Sequence, residues 1–140
     1  MFSTKLSVSV HILCMVALRS SPAVTSEHIA ESICTNPALV RRLMSRLRRA
    51  QLIRTCQKRG AVGLGRPAEE ISLRDVFFAV EPERRLFDLH TGTNTRCPVG
   101  AHIGEVMTDI YERVQTGFDS QLQSIRLSDI LDKLKERGVT

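Results

Sequence analysis

Arg41, Arg42, Arg46, Arg48 and Arg49 fall within nine consecutive residues, and Arg54, Lys58, Arg59 and Arg66 follow before the next acidic residue is met. The acid-free window runs from Ser32 to Ala68 and holds nine of the twenty basic residues, which leaves eleven basic against fifteen acidic residues elsewhere. A solvated helical face usually mixes both signs. A face without counter-charges is instead a field for a polyanion. The guanidinium fork suits two tasks there, pairing with the O6/N7 edge of guanine and gripping phosphate oxygens. Because the first turns of a helix laid in the major groove lie nearest the base edges, Arg41, Arg42 and Ser45 are the expected readers. Arg46, Arg48, Arg49 and Arg54 are expected on phosphates, which fix register without reading sequence, and Thr25, Ser26 and Asn36 are expected among the DNA contacts as well. Lys58, Arg59 and Gly60 would touch an adjacent minor groove or backbone.

Other chemistry is thinly supplied. Cys14, Cys34, Cys56 and Cys97 form no Cys-x-x-Cys pair and no zinc spacing. His11, His28, His90 and His102 are too scattered for a zincin or finger. No metal or cofactor is indicated, and no nucleophile triad, Walker loop or dinucleotide fingerprint is present, so catalysis has no positive sign. Cys97 precedes an expected long helix whose amide dipole favours a thiolate, with His90 in the same loop. Those two residues make a candidate site for an oxidant or other small-molecule effector; an inert helix-start cysteine fits the same residues. Cys14, Cys34 and Cys56 suit small core positions. Unpaired cysteines point to a reducing, cytoplasmic compartment. The apolar run Leu6 to Leu18 is about 13 residues, short of the roughly 20 a membrane helix needs. Leu6, Val10, Leu13 and Ala17 have helical spacing, so a core helix is expected rather than a leader or anchor.

These side chains need elements to hold them. A chain of 140 residues allows one compact domain, or one domain with a dimerisation arm. Six aromatics and no Trp leave a core of Leu, Ile and Val, typical of packed helices. The first helix is expected from about Lys5 to Arg19, ending in Ser20-Ser21-Pro22. Thr25 or Ser26 caps a short helix carrying Ile29, Ala30 and Ile33. Asn36-Pro37 then starts the arginine helix, whose buried stripe is Val40, Leu43, Met44 and Leu47. Leu52 to Gln57 and Ala61 to Leu64 read as a hairpin with a basic tip, where Gly60, Gly63 and Gly65 permit positive φ or close backbone approach. A helix through Ile71, Val76, Phe77 and Val80 packs back on these elements.

Glu81 to Arg96 reads as irregular. From Val99 to about Ile125 a long helix carries Ile103, Val106, Met107, Ile110, Val114 and Phe118, a stripe too long for so small a domain to bury alone. Gly117 within it costs about 1 kcal/mol relative to Ala and marks close packing or a bend. Leu127 to Lys135 reads as a closing helix. The expected fold is mainly α with a small β-hairpin wing: a winged helix-turn-helix head (1–80), a connecting and sensing loop (81–98), and a dimerisation helix with its closing helix (99–137).

Three stretches carry a family likeness: Thr25-Ser26-x-x-Ile29-Ala30-Glu31-Ser32-Ile33, the segment from Val40 to Ile53, and Ile71-Ser72-Leu73-x-Asp75-Val76-Phe77-x-Ala79-Val80-Glu81. In order and spacing they resemble the Rrf-two family of bacterial regulators, and the likeness spans about Phe2 to Leu134. The resemblance implies a homodimer, paired through the long helix, that presents two heads to a palindromic operator on double-stranded DNA. Cluster-binding relatives carry three cysteines before and into that helix. Here Cys97-Pro98-Val99-Gly100 holds one, so the chain is closer to the cluster-free branch. Val62 before Gly63 also departs from the usual double glycine of the wing. The expected function is a sequence-specific regulator, a repressor, with Cys97 either its redox-responsive residue or an inert helix-start cysteine. A basic adaptor for an acidic protein, an architectural DNA-binding protein without sequence preference, and a small redox enzyme built on Cys97 are the competing readings.

Overall fold

The computed structural model describes residues 3–19 and 21–140. Phe2, where the family likeness begins, and Ser20 of the expected turn lie outside the described residues. Helix α1 (Lys5–Ala17) is apolar on nearly every side, and this blurs the choice of its inner face. The expected stripe of Leu6, Val10, Leu13 and Ala17 is corrected: the most deeply buried residues are Ser9, Ile12, Leu13, Cys14 and Val16, with Leu6, Val10 and Ala17 at the margin of the core. Where most positions are hydrophobic, periodicity cannot select a face and tertiary packing does.

Local signals explain the next two helices. Thr25 caps α2 (Ser26–Ile33), its Oγ1 accepting from the His28 amide at 3.1 Å. Cys34 adopts left-handed geometry (φ 63°), and the Thr35 amide closes the turn on the Ala30 carbonyl. Asn36 Oδ1 then accepts from the Leu39 amide at 2.8 Å and Pro37 opens α3 (Pro37–Arg49). All four expected stripe residues, Val40, Leu43, Met44 and Leu47, are buried.

Strands β1 (Ile53–Cys56) and β2 (Gly60–Leu64) form an antiparallel hairpin with an irregularity between Arg54 and Thr55. Val24, just before α2, pairs with Ala61, so the tip end of the hairpin is bonded to the start of the helix-turn-helix. Gly60 is required there, having φ 93° and the Val24 carbonyl where a side chain would stand. Gly63 and Gly65 do not share its positive φ.

A short 3-10 turn (Ala68–Glu70) leads into α4 (Leu73–Val80), which opens with a reciprocal Ser72–Asp75 capping box. The long α5 (Pro98–Ser124) and closing α6 (Leu127–Glu136) follow. Paired backbone bonds join Leu73 to Ile125 and Leu127 to Ile71, which bring the end of α5 back to the start of α4. Leu127 and Leu131 of α6 consequently enter the same core as Ile12, Ile29, Leu47 and Val76. The chain is therefore mainly helical with a two-stranded wing, and none of its described helices is long and apolar enough to cross a membrane.

Gly117 does not interrupt α5, and it makes no close packing within the chain, since a Cβ there would meet nothing within 4 Å. The 81–96 segment has no helix or strand and is strapped to α5. Gln115 Oε1 accepts from the Leu86 amide and its Nε2 donates to the Arg84 carbonyl, each at 3.0 Å. Near the helix start, Thr93 donates to the Gly100 carbonyl, and the Asn94 carbonyl occupies the space a side chain at Gly100 would need.

Candidate nucleic-acid interface

The hairpin tip, the start of α2 and one flank of α3 surround a concavity of about 440 Å³. Arg41, Ser45 and Arg48 reach it from α3, where spacings of four and three place them along one side of the helix. Thr25 and Ser26 contribute from α2, and Lys58, Arg59 and Gly60 from the hairpin. The Val24–Ala61 pairing sets this arrangement, because it fixes the wing tip against the first residues of α2. Four cations face one acidic residue, Glu27, whose Oε1 is 3.3 Å from Arg41 Nη1. Ser26 Oγ donates to the other carboxylate oxygen at 3.2 Å. Both members of the ion pair are well exposed, so it orients Arg41 more than it stabilises the fold.

The other expected contacts are distributed differently. Asn36 is exposed, with its side-chain oxygen committed to the α3 cap. Arg42 is exposed on the outer side of α3 and does not line the concavity. Arg46 is half-buried and donates from Nη1 to the Val80 carbonyl at 2.8 Å, tying α3 to α4. It lies with Arg49 and Arg84 around a separate hollow beside Phe78 and Pro82. Arg84 also stacks on the Phe78 ring, with Arg74 on that ring as well. Arg54 points away from the reading side of the wing, its Nε donating to the Leu64 carbonyl. The run of arginines thus serves several surfaces, not one band.

Two contributors carried no expected role. Glu27 is recognisable from sequence as a first-turn acid on α2, but its pairing with a residue fourteen positions on depends on the α2–α3 crossing. Cys56 was expected in the core, and so was Cys34; Cys34 is exposed and Cys56 only half-buried. Cys56 lines the basic concavity, and its thiol pKa is lowered from the ordinary value by a backbone hydrogen bond from Lys58 and the Arg59 side chain. Cys14 does meet the core expectation, burial pushing its thiol up to about 11.

The expected stripe on α5 divides between two faces. Val99, Ile103, Val106, Ile110 and Val114 are all more than a third exposed and follow one another at three- or four-residue steps. Met107 is half-buried, and Phe118 turns inward, meeting Phe77 edge to face at 5.7 Å. Cys97 is exposed at the N-cap of α5 without a side-chain cap bond, and His90 is exposed in the strapped segment.

The sequence pattern of the Rrf2 family, described as iron-dependent transcriptional regulators, matches residues 2–133. The chain belongs to the Rrf2 (Rrf-two) family. It is 33% identical over 134 residues to YwnA of Bacillus subtilis strain 168, which carries the name of an HTH-type transcriptional regulator; the match covers 96% of this chain and 99% of YwnA. A solved structure described as a DNA-binding protein superposes with TM-score 0.72 at 29% identity, covering 91% of this chain and 98% of the other. CymR of B. subtilis, titled the global cysteine regulator, has the same fold: TM-score 0.71 at 18% identity, over 94% of this chain and 96% of CymR. As an Rrf2 member the chain is a DNA-binding transcriptional regulator and not an enzyme.

The iron in the family's description does not fit the residues of this chain. Cys97 is the sole cysteine near the start of α5, and the other three lie on α1, at the end of α2 and on β1. Among the described residues no three His, Cys, Asp or Glu side chains gather as a metal would require.

Proposed function

We propose that this Rrf2 regulator is a cytoplasmic repressor that grips a palindromic operator as a homodimer. The observation that supports it most is the convergence of Arg41, Ser45 and Arg48 with Lys58 and Arg59 around one concavity. A helix seated in the major groove would set Arg41, Arg42 and Ser45 against base edges. Thr25, Ser26, Asn36, Arg49 and Arg46's unused donors would hold phosphates, while Lys58, Arg59 and Gly60 reach the neighbouring minor groove. The head (1–80) would be paired with its mate through the 99–137 segment, the exposed stripe of Val99, Ile103, Val106, Ile110 and Val114 supplying the seam. Met107 and Phe118 then shape the helix from its inner side.

Oxidant control through Cys97 belongs to this reading. An exposed thiol at the junction of the 81–98 loop and α5 is accessible to modification, and a bulky or charged adduct there would disturb how the loop, His90 included, rests on the seam helix. Unchanged operator affinity of Cys97→Ser and wild type, with and without oxidant, would remove the sensor while leaving the regulator intact.

Selection of bound sequences from random duplexes tests the whole proposal. The enriched pool should be palindromic, with half-sites about one helical turn apart or a multiple of it. With about 6 to 10 phosphate contacts, affinity should fall roughly 10³- to 10⁵-fold between about 50 and 200 mM salt. Salt-sensitive binding without an enriched sequence would favour the architectural or adaptor role instead.

A further inference from the structure

Behind the wing, on surface that shares no residue with the reading concavity, a third hollow of about 670 Å³ is lined by Arg19, Arg54 and Arg66. We propose that these three arginines form an oxyanion site that takes a phosphate group. The geometry of Gly63 carries the argument. The point where its Cβ would stand lies 2.6 Å from Arg54 Nη2 and 3.5 Å from Arg19 Nη2, so two guanidiniums from distant elements converge over one missing side chain. Each is anchored by a different edge: Arg19 Nη1 donates to the Val16 carbonyl at 2.8 Å, and Arg54 Nε donates to the Leu64 carbonyl at 3.2 Å. The Nη2 groups are therefore held toward a common point and not left to diverge. Among the described residues no carboxylate lies within ion-pair distance of either guanidinium.

Arg66 completes the cluster. It is 3.5 Å from Asp75, yet its Nε is buried with no acceptor. Glu69 is the single acidic residue lining the hollow. Like charges held together in this way repel, and guanidinium forks fixed by their own carbonyl bonds match the several oxygens of a phosphate. A bound phosphate would join the end of α1 to the base of the hairpin, and so set the angle of the wing that carries Lys58 and Arg59. Its source is either a small phosphorylated molecule or a backbone phosphate of the DNA.

The test begins with the full chain in the absence of DNA, titrated with inorganic phosphate by calorimetry and by thermal melting at ionic strength held constant with chloride. Wild type should bind and melt higher; the double variant R19Q/R54Q should lose at least tenfold in affinity, and R41Q, on the reading side, should retain the response. Each single variant is measured too, so that poor folding of the double leaves the question decidable. The salt dependence of binding to a random-sequence duplex separates the sources. If a backbone phosphate is the ligand, R19Q/R54Q lowers the slope of log K against log salt by about 1; if a small molecule is, the slope stays and only the phosphate response is lost. Variant and wild type that agree in both assays, or a phosphate response abolished by R41Q instead, would overturn the site.

Discussion

Ile110→Glu separates the two faces of α5. Ile110 is 41% exposed in the single chain, so pairing would bury the rest of a side chain whose full burial contributes roughly 1.5–3 kcal/mol, or about 1 kcal/mol per copy. A two-fold interface counts the change twice. Two carboxylates brought into an apolar seam add at least about 1–3 kcal/mol each. The sum is on the order of 5 kcal/mol, which at 1.4 kcal/mol per decade raises the dimer dissociation constant roughly 10³-fold or more. Since the position is exposed within one chain, monomer folding should change by no more than about 0.5 kcal/mol. Phe118→Ala is the counterpart. Half-buried against Phe77, it should cost the fold about 2 kcal/mol and leave dimer affinity nearly unchanged. Sedimentation velocity across a concentration series, read beside circular-dichroism melting, gives both quantities. A dimeric Ile110→Glu together with a dissociated Phe118→Ala would refute the division of faces.

Four further outcomes are expected. Arg41→Gln should lower operator affinity by about 1–3 kcal/mol and relax base preference, whereas Arg46→Gln should act mainly on melting temperature, because its guanidinium holds the Val80 carbonyl; fluorescence anisotropy on operator and scrambled duplexes distinguishes them. Cys56 should alkylate with a pH midpoint below the ordinary 9.0, since a lowered pKa supplies thiolate at lower pH, and Cys14 should react only on unfolding; mass spectrometry of iodoacetamide-labelled peptides across pH would expose a reversed order. Gly60→Ala places a methyl group on the Val24 carbonyl at positive φ, and should destabilise the chain by about 1–3 kcal/mol in chemical denaturation. Gly117→Ala should stabilise it by about 0.5–1 kcal/mol in the same assay, and a loss of dimer on sedimentation would show that the partner packs there.

Much of this molecule was legible because its signals are short-range. Asn36-Pro37 starts α3 through a side chain and a ring that act within one turn, and Val40, Leu43, Met44 and Leu47 needed only helical period to mark the inner face. Charge segregation along the chain was enough to direct attention to a polyanion. Spacing puts Arg41 and Arg48 on one flank of α3 and Arg46 on the other, but which side chains of other elements join them was not available from it. Arg41 and Arg59 share a concavity because Val24 bonds to Ala61, and Arg46, on the other flank, is engaged by the Val80 carbonyl. On α5, one apolar stripe became two faces once Phe77 claimed Phe118 and left Ile110 exposed. Caps, periods and charge runs are set by neighbours in sequence, so the chain alone determined them. Partnerships across 14 to 41 positions depend on how helices cross and where the hairpin docks, and only the packed tertiary structure decided those.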